Sequence, residues 1–495
     1  VLVPEIALTP QTVDRFRSAF GDHVAVLHSA LSDGERLDAW RAIRRGERSI
    51  VVGARSAIFA PLERVGAIIV DEEHETSYKQ GETPRYHARD VAIVRARHEG
   101  AIVVLGAATP ALESWANASS GAYCLLSLPH RVGGGELPRV EVVDLRVRSS
   151  TAPGSPPDPF RRVISAPLER SLSDTIERGE QAILLLNRRG YAAFVQCVAC
   201  GDVAACPNCS ISLTAHRAPE RMVCHYCAHE EPFRLKCPKC GEATVNERGV
   251  GTQQVERLLA DRLPSARIAR MDVDTTSGKW AHADILDRVG RVEVDVLLGT
   301  QMIAKGLDFP NVTLVGVVDA DVGMNLPDFR SSERAYQLMA QVAGRAGRGP
   351  KGGLVYIQTR LPTHHAVRGA VAHDYLAFVE HEMADRQSPA YPPSVRLANV
   401  VFSGHDQTET AALAVRGADW LTRLLSKGAI AGVGILGPAP CAIERIKSRW
   451  RWHILLRTTQ SADLTRVLRY FATHFPVEHR GGLRVILDRD PVSLL

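Results

Sequence analysis

Eight of the ten cysteines lie between positions 197 and 240, as four Cys-x-x-Cys pairs: Cys197/Cys200, Cys206/Cys209, Cys224/Cys227 and Cys237/Cys240. A Cys-x-x-Cys turn aims two thiolates at one point, and two such turns complete the tetrahedral sulfur shell of a zinc ion, with Zn–S bonds of about 2.3 Å. The four turns predict two structural zinc sites, because eight thiolates leave no open coordination position for catalysis. Pro207 and Pro238 inside two pairs, and Gly201 and Gly241 after two, are the residues tight turns need. A disulfide framework is disfavoured, since nothing marks the chain as secreted and this spacing suits metal. Spacing alone leaves open which turns share an ion.

A second constellation is acidic. The apolar run Ala67–Val70 leads directly into Asp71, Glu72, Glu73 and His74. Carboxylates at the carboxyl end of a buried parallel strand stand where α/β sheets bind ligands. There one can hold Mg²⁺ while its neighbour polarises an attacking water. A third is basic: Gln341, Gly344, Arg345, Gly347 and Arg348 lie in one short segment. Arginines three apart share a helix face and can reach a γ-phosphate. Glycines are costly on an ordinary helix surface, by about 1 kcal/mol each, which argues against a merely solvated arginine-rich helix. Gly106–Pro110, with Thr109, and Thr300–Pro310 are two further polar turns at strand ends.

These residues need a scaffold of short parallel strands. Apolar runs at Val24–Leu27, Ser49–Val52, Ala67–Val70 and Ile102–Leu105 alternate with helical stretches, which predicts a parallel sheet covered on both faces. The same pattern resumes after the Pro- and Ser-rich stretch 149–159, at Ala182–Leu186, Ala266–Ala269, Val294–Leu298, Leu314–Val318 and Leu354–Ile357. The cysteine module interrupts this second sheet after its first strand. The organisation is therefore a first lobe (1–148), a linker (149–162), a second lobe in two parts (163–195 and 242–385), a zinc insertion (196–241) and a small α+β C-terminal domain (386–495). The 495 residues carry a net charge of +5, which permits a nucleic-acid partner without demanding one. No run of about 18 apolar residues predicts a membrane span. The opening residues lack both a secretory pattern and an initiator Met, and they read as a buried strand, so an upstream part is expected.

The order Asp-Glu-Glu-His, Gly-Ala-Ala-Thr-Pro, Thr-Gln-Met-Ile-Ala-Lys-Gly-Leu-Asp-Phe-Pro and Gln-Val-Ala-Gly-Arg-Ala-Gly-Arg resembles motifs II, III, V and VI of superfamily-two helicases. With the eight-cysteine insertion after Leu184–Tyr191, nearly the whole chain resembles the PriA family, bacterial primosomal N′ proteins that restart stalled replication forks. The resemblance implies two RecA-like lobes and an ATP-dependent DNA helicase with 3′-to-5′ polarity. It implies that Asp71 holds Mg²⁺, Glu72 is the base for the hydrolytic water, and Thr109 links hydrolysis to DNA grip. Glu73, His74, Gly306 and Asp308 fall in the nucleotide-binding set, and Gln341, Arg345 and Arg348 reach the ATP phosphates. Tyr78, Lys79, Arg85 and Tyr86 fall in an aromatic-rich loop that meets single-stranded DNA by stacking and phosphate contact. The zinc pairing it implies is nested, Cys197/Cys200 with Cys237/Cys240 and Cys206/Cys209 with Cys224/Cys227. Implied partners are forked and single-stranded DNA, primosome proteins, single-strand-binding protein and the replicative helicase loader, in a cytoplasmic, nucleoid-associated setting.

One departure matters. The family's phosphate-binding loop is expected just before Val1, and no G-x-x-x-x-G-K-[S/T] occurs in the 495 residues. Without that lysine and its backbone nest the chain alone is expected to turn over little ATP. A basic strip is also expected on one face of a single strand, from Arg445, Lys447, Arg449 and Arg451, as a phosphate track. The rival reading is a non-catalytic, zinc-bearing DNA-binding scaffold that loads primosome proteins.

Overall fold

The structure is a computed structural model that describes residues 1–4, 10–28, 31–129, 137–146, 158–186, 194–217, 220–247, 251–272, 275, 281–304, 309–347, 349, 351–428, 430, 432–477 and 480–495. In the first lobe, Val24–Leu27 pairs in parallel with Ile50–Gly53, and Ala67–Val70 with Ile102–Leu105. Leu2 bridges both pairs, to Gly53 on one side and Val70 on the other, and so joins them into one sheet. Leu2, Ile43, Ile68, Val70, Tyr78, Ala88 and Ala92 form its core on one face. The expectation of cover on both faces is corrected for the half built on Ala67–Val70 and Ile102–Leu105. There Ile69, Ile102 and Val104 are 40%, 69% and 45% exposed.

The second lobe is a six-stranded parallel sheet in the order Ile268–Met271, Val296–Gly299, Gln181–Leu185, Val312–Val317, Leu354–Thr359, Arg139–Asp144. Its three inner strands after the first are buried along their whole length, as near-continuous apolar runs require when helices cover both faces. Arg139–Asp144 was expected in the first lobe, within 1–148. It instead completes the edge of the second sheet beside Leu354–Thr359, with Arg139 N–H donating to the Gly353 carbonyl. The crossing between lobes thus precedes Arg139. The proline-rich stretch 149–157 lies outside the described residues.

The cysteine module forms its own five-stranded sheet. The chain enters it on Phe194–Cys197 and leaves on Thr244–Glu247, which pair antiparallel. The C-terminal domain is a four-stranded antiparallel sheet, ordered Gly434–Ile446, Arg449–Thr458, Arg396–Gly404, Arg484–Arg489. Helices Gln407–Lys427 and Ser461–His474 pack on it around Val400, Phe402, Leu413, Leu421, Val467 and Phe471. Among the described residues no helix is long and apolar enough to cross a membrane.

Candidate active site and metal centres

The acidic loop begins where the strand Ala67–Val70 ends. Asp71 N–H donates to the Leu2 carbonyl, Glu73 N–H to the Gly106 carbonyl, and the Tyr78 hydroxyl to the Asp71 carbonyl at 2.7 Å. These bonds hold Glu72 at φ 45°, in the left-handed region that costs a non-glycine residue about 1–3 kcal/mol. The turn keeps the Asp71 and Glu72 carboxylates beside the strand end. Burial pushes the pKa of both above the ordinary carboxylate value, and His74 pulls both back down. Glu72 Oε2 and Thr109 Oγ1 are buried without a hydrogen-bond partner in the protein. His74 Nδ1 lies 3.6 Å from Glu72 Oε2, beyond hydrogen-bond length, and a buried oxygen without a hydrogen bond is costly unless water or a ligand meets it.

The second lobe faces this loop. Helix Ser331–Ala343 carries Gln341, whose Nε2 lies 3.0 Å from His74 Nε2. Arg345, just past its end, lowers the Glu72 pKa by charge alone. The acidic loop and the second lobe therefore meet at His74 and Gln341, and the Arg345 charge is felt at Glu72. Arg348, Gly306 and Asp308 lie outside the described residues.

Three expected site residues are placed elsewhere. Glu73 is 1% exposed and its carboxylate is fully used: Oε1 accepts the Ala111 N–H at 2.7 Å, and Oε2 accepts Ser114 Oγ at 2.8 Å and Arg89 NH1 at 2.9 Å. It ties the acidic loop to the turn after Thr109 and has no oxygen left for a nucleotide. Tyr78 is 1% exposed in the first-lobe core and cannot stack on a base. Lys79 is spent on the C-terminal domain, paired with Asp488 at 2.9 Å and donating to the Arg489 and Asp490 carbonyls. Tyr86, half-buried, packs edge-on against Phe59, and Arg85 keeps a buried Nε without a partner.

The four-cation strip is also corrected. Arg445 and Ile446 end one strand, Lys447 and Ser448 form the two-residue turn at φ 48° and 63°, and Arg449 and Arg451 belong to the returning strand. Cross-strand pairing puts Arg445 with Trp450, its guanidinium 5.3 Å from the ring. Alternation along the returning strand then puts Arg449 and Arg451 on the other face. Arg449 donates to the Gly482 and Ser403 carbonyls and Arg451 to the Ile443 carbonyl.

The thiols gather in nested fashion: Cys197, Cys200, Cys237 and Cys240 in one cluster, Cys206, Cys209, Cys224 and Cys227 in the other. Sγ···Sγ contacts include 3.4 Å for Cys197–Cys240 and 3.7 Å for Cys200–Cys237 and Cys206–Cys227. A tetrahedron of Zn–S bonds has edges of about 3.8 Å, so both donor sets fit zinc. The second cluster is built into a larger core. Cys206, Cys209 and Cys224 pack with Tyr226, Phe329, Tyr391, Leu397 and Leu455, drawn from the zinc module, the second lobe and the C-terminal domain. Tyr391 hydroxyl donates to the Cys209 carbonyl at 2.8 Å.

Residues 387–492 match the primosomal protein N C-terminal domain, and 206–232 match the PriA DNA helicase Cys-rich region domain. Residues 1–117 match DEAD/DEAH box helicases and 246–350 the helicase conserved C-terminal domain. The replication restart protein PriA of Treponema pallidum is 42% identical over the whole chain, which covers 72% of that relative. The chain belongs to the PriA family. The PriA of Bacillus subtilis is 49% identical and that of Synechocystis 43%, each over the whole chain. The chain spans 60% and 59% of those two PriA proteins. Three residues that the sequence reading did not single out, Glu113, Arg330 and Glu333, line one cavity with Arg89 at the meeting of the two lobes and the C-terminal domain. The signal for Arg330 and Glu333 was present in the charged run Asp328–Arg334, but partner choice across the chain is not visible in spacing.

Proposed function

We propose that this chain is the motor and zinc portion of an ATP-dependent DNA helicase that restarts replication at stalled forks. The observation that supports it most directly is the cleft itself. His74 of the acidic loop lies 3.6 Å from the Glu72 carboxylate and 3.0 Å from Gln341 of the other lobe, and the Arg345 charge acts on Glu72. ATP with Mg²⁺ fits this donor set, because two adjacent carboxylates stand at a strand end and Glu72 Oε2 makes no hydrogen bond within the protein, its neighbour being His74 Nδ1 at 3.6 Å. The metal would neutralise charge on the transferred phosphoryl group. Asp71 would hold it, Glu72 would orient and deprotonate the attacking water, and Arg345 would stabilise charge that develops in the transition state. Forked and single-stranded DNA are the nucleic-acid partners. The relatives named for replication restart support that role. Primosome proteins, single-strand-binding protein and a helicase loader as further partners, 3′-to-5′ polarity and a cytoplasmic setting are part of the proposal through the family resemblance alone. Arg85, Tyr86, Arg445 and Lys447 are the cations and ring we assign to DNA contact.

The test uses the full protein to which this chain belongs. Glu72→Gln is expected to lower DNA-stimulated ATP turnover by a factor of about 10²–10⁴ while leaving ATP binding in place. Wild-type turnover in the variant would sink the assignment. Absence of DNA-stimulated turnover in the unsubstituted protein would favour the scaffold instead.

A further inference from the structure

The short helix Leu112–Ser119 follows directly on Thr109 and Pro110, and its first turn is claimed by both lobes. Glu73 of the acidic loop accepts the Ala111 N–H at 2.7 Å, and Glu333 of the second lobe accepts the Leu112 N–H at 3.1 Å. The first amides of a helix have no intrahelical acceptor and carry partial positive charge, so each carboxylate satisfies a donor and a dipole at once. Glu113, next in the same turn, meets Arg330 of the second lobe at 2.5 Å. Burial alone would raise the Glu113 pKa, but Arg330, Arg89 and Arg386 outweigh it and hold it well below the carboxylate range. The charges continue outward: Glu333 pairs with Arg386 at 2.9 Å, and Arg386 pairs with Glu382 and donates to the Pro392 carbonyl at the entry to the C-terminal domain. Two more contacts pull the same turn toward the second lobe, Tyr375 hydroxyl to the Pro110 carbonyl at 2.8 Å and Gln337 Nε2 to the Thr109 carbonyl at 3.5 Å. A cavity of about 300 Å³ borders the joint, which leaves these side chains room to rearrange.

We propose that the first turn of this helix is the joint through which the second lobe sets the acidic loop, with Glu333 and Arg330 as positioning residues for Glu72. Neither touches the reacting atoms. Each acts through Leu112 or Glu113, then through Ala111 and Glu73, whose carboxylate and backbone anchor the loop that carries Glu72. A second lobe that moves away takes the Glu333 carboxylate with it. The helix start then loses one of its two carboxylates, and the loop loses its outer support. This inference rests on the motor reading for its consequence, but not for its mechanics.

Amide hydrogen exchange on the zinc-loaded 495-residue chain tests the mechanics without any ATP turnover. Glu333→Gln is expected to speed exchange at Leu112 and, through the joint, at the Glu73 and Glu75 amides by about tenfold or more, with the strand Gln181–Leu185 unchanged. Faster exchange confined to Leu112 and Glu113 would overturn the proposal, because the cap would then be local. Unchanged exchange throughout would overturn it as well. If Glu333→Gln fails to fold, Arg330→Lys, which keeps the charge but loses the forked geometry, carries the same two outcomes. In a protein that turns over ATP, the same variants are expected to lower kcat about tenfold with KM for ATP within about twofold. A change in KM alone would remove them as positioning residues. No turnover in the unsubstituted protein would refute the motor reading and leave the exchange result standing.

Discussion

His87 sits at the start of helix Ala88–Glu99, where its ring Nδ1 accepts the Arg89 N–H at 3.3 Å. A ring nitrogen that accepts must be unprotonated. Burial, then the Arg89 charge, drives the pKa down from 6.5 to about 3, with Lys79 acting the same way and Asp90 and Glu113 opposing. The folded pKa is depressed, so the unfolded chain takes up the proton first as the solution is acidified. The stability this contributes is complete above pH 6.5 and is lost as pH falls from there toward about 3. We expect roughly 1–2 kcal/mol of the loss between pH 6.5 and about pH 5. His87→Asn keeps an acceptor for the cap and should flatten that part of the profile, as read by urea unfolding at stepped pH. Glu73 teaches a related lesson. It stands in an acidic motif beside two carboxylates assigned to chemistry, yet Arg89, Ser114 and Ala111 consume it. Adjacent residues on a turn point in different directions, and the partners decide the role.

Two elements show what a short stretch of backbone can and cannot do. The hairpin Gly434–Ile446 to Arg449–Thr458 turns on Lys447 and Ser448, both at positive φ. Two-residue hairpin turns of this kind favour Asn-Gly, because side chains other than those of Asn and Asp are strained there. Replacing Lys447→Asn with Ser448→Gly is expected to raise stability by about 1 kcal/mol, measured as a higher thermal midpoint. The zinc module offers a sharper comparison. Metal analysis should find two zincs per chain, and Cys224→Ser and Cys240→Ser should each cost one. Cys224 lies in the core shared with the C-terminal domain, whereas Cys240 is exposed. Cys224→Ser is therefore expected to lower the thermal midpoint by the larger amount, and an equal loss would contradict the shared core.

At the scale of the molecule, the C-terminal domain is fastened to both lobes. Lys79 of the first lobe, 8% exposed at its side chain, reaches Asp488 and two carbonyls of the last strand and the residue after it. On the second lobe, Asp328 accepts the Leu494 N–H at 3.0 Å and Arg334 donates to the Val492 carbonyl. Lys79→Ala leaves Asp488 without its cation. Breaking a buried pair this way costs about 3–5 kcal/mol, less where water reaches the pair. The expected outcome is a first lobe that melts separately and earlier in calorimetry. A single unchanged transition would show that the fastening contributes little.

The sequence by itself determined what depends on neighbours a few residues away. Four Cys-x-x-Cys turns set two zinc sites, and the apolar run Ala67–Val70 set a strand that delivers Asp71 and Glu72 to its carboxyl end. Alternating short apolar runs set two parallel-sheet lobes. The tertiary structure alone decided which strand closed the second sheet, since Arg139–Asp144 chooses Leu354–Thr359 across more than 200 residues. It also decided which charged side chains remain available. Lys79 meets Asp488, Glu113 meets Arg330, and Arg449 turns back to backbone carbonyls, because burial removes a charge from water and obliges it to find whatever partner the fold brings within reach.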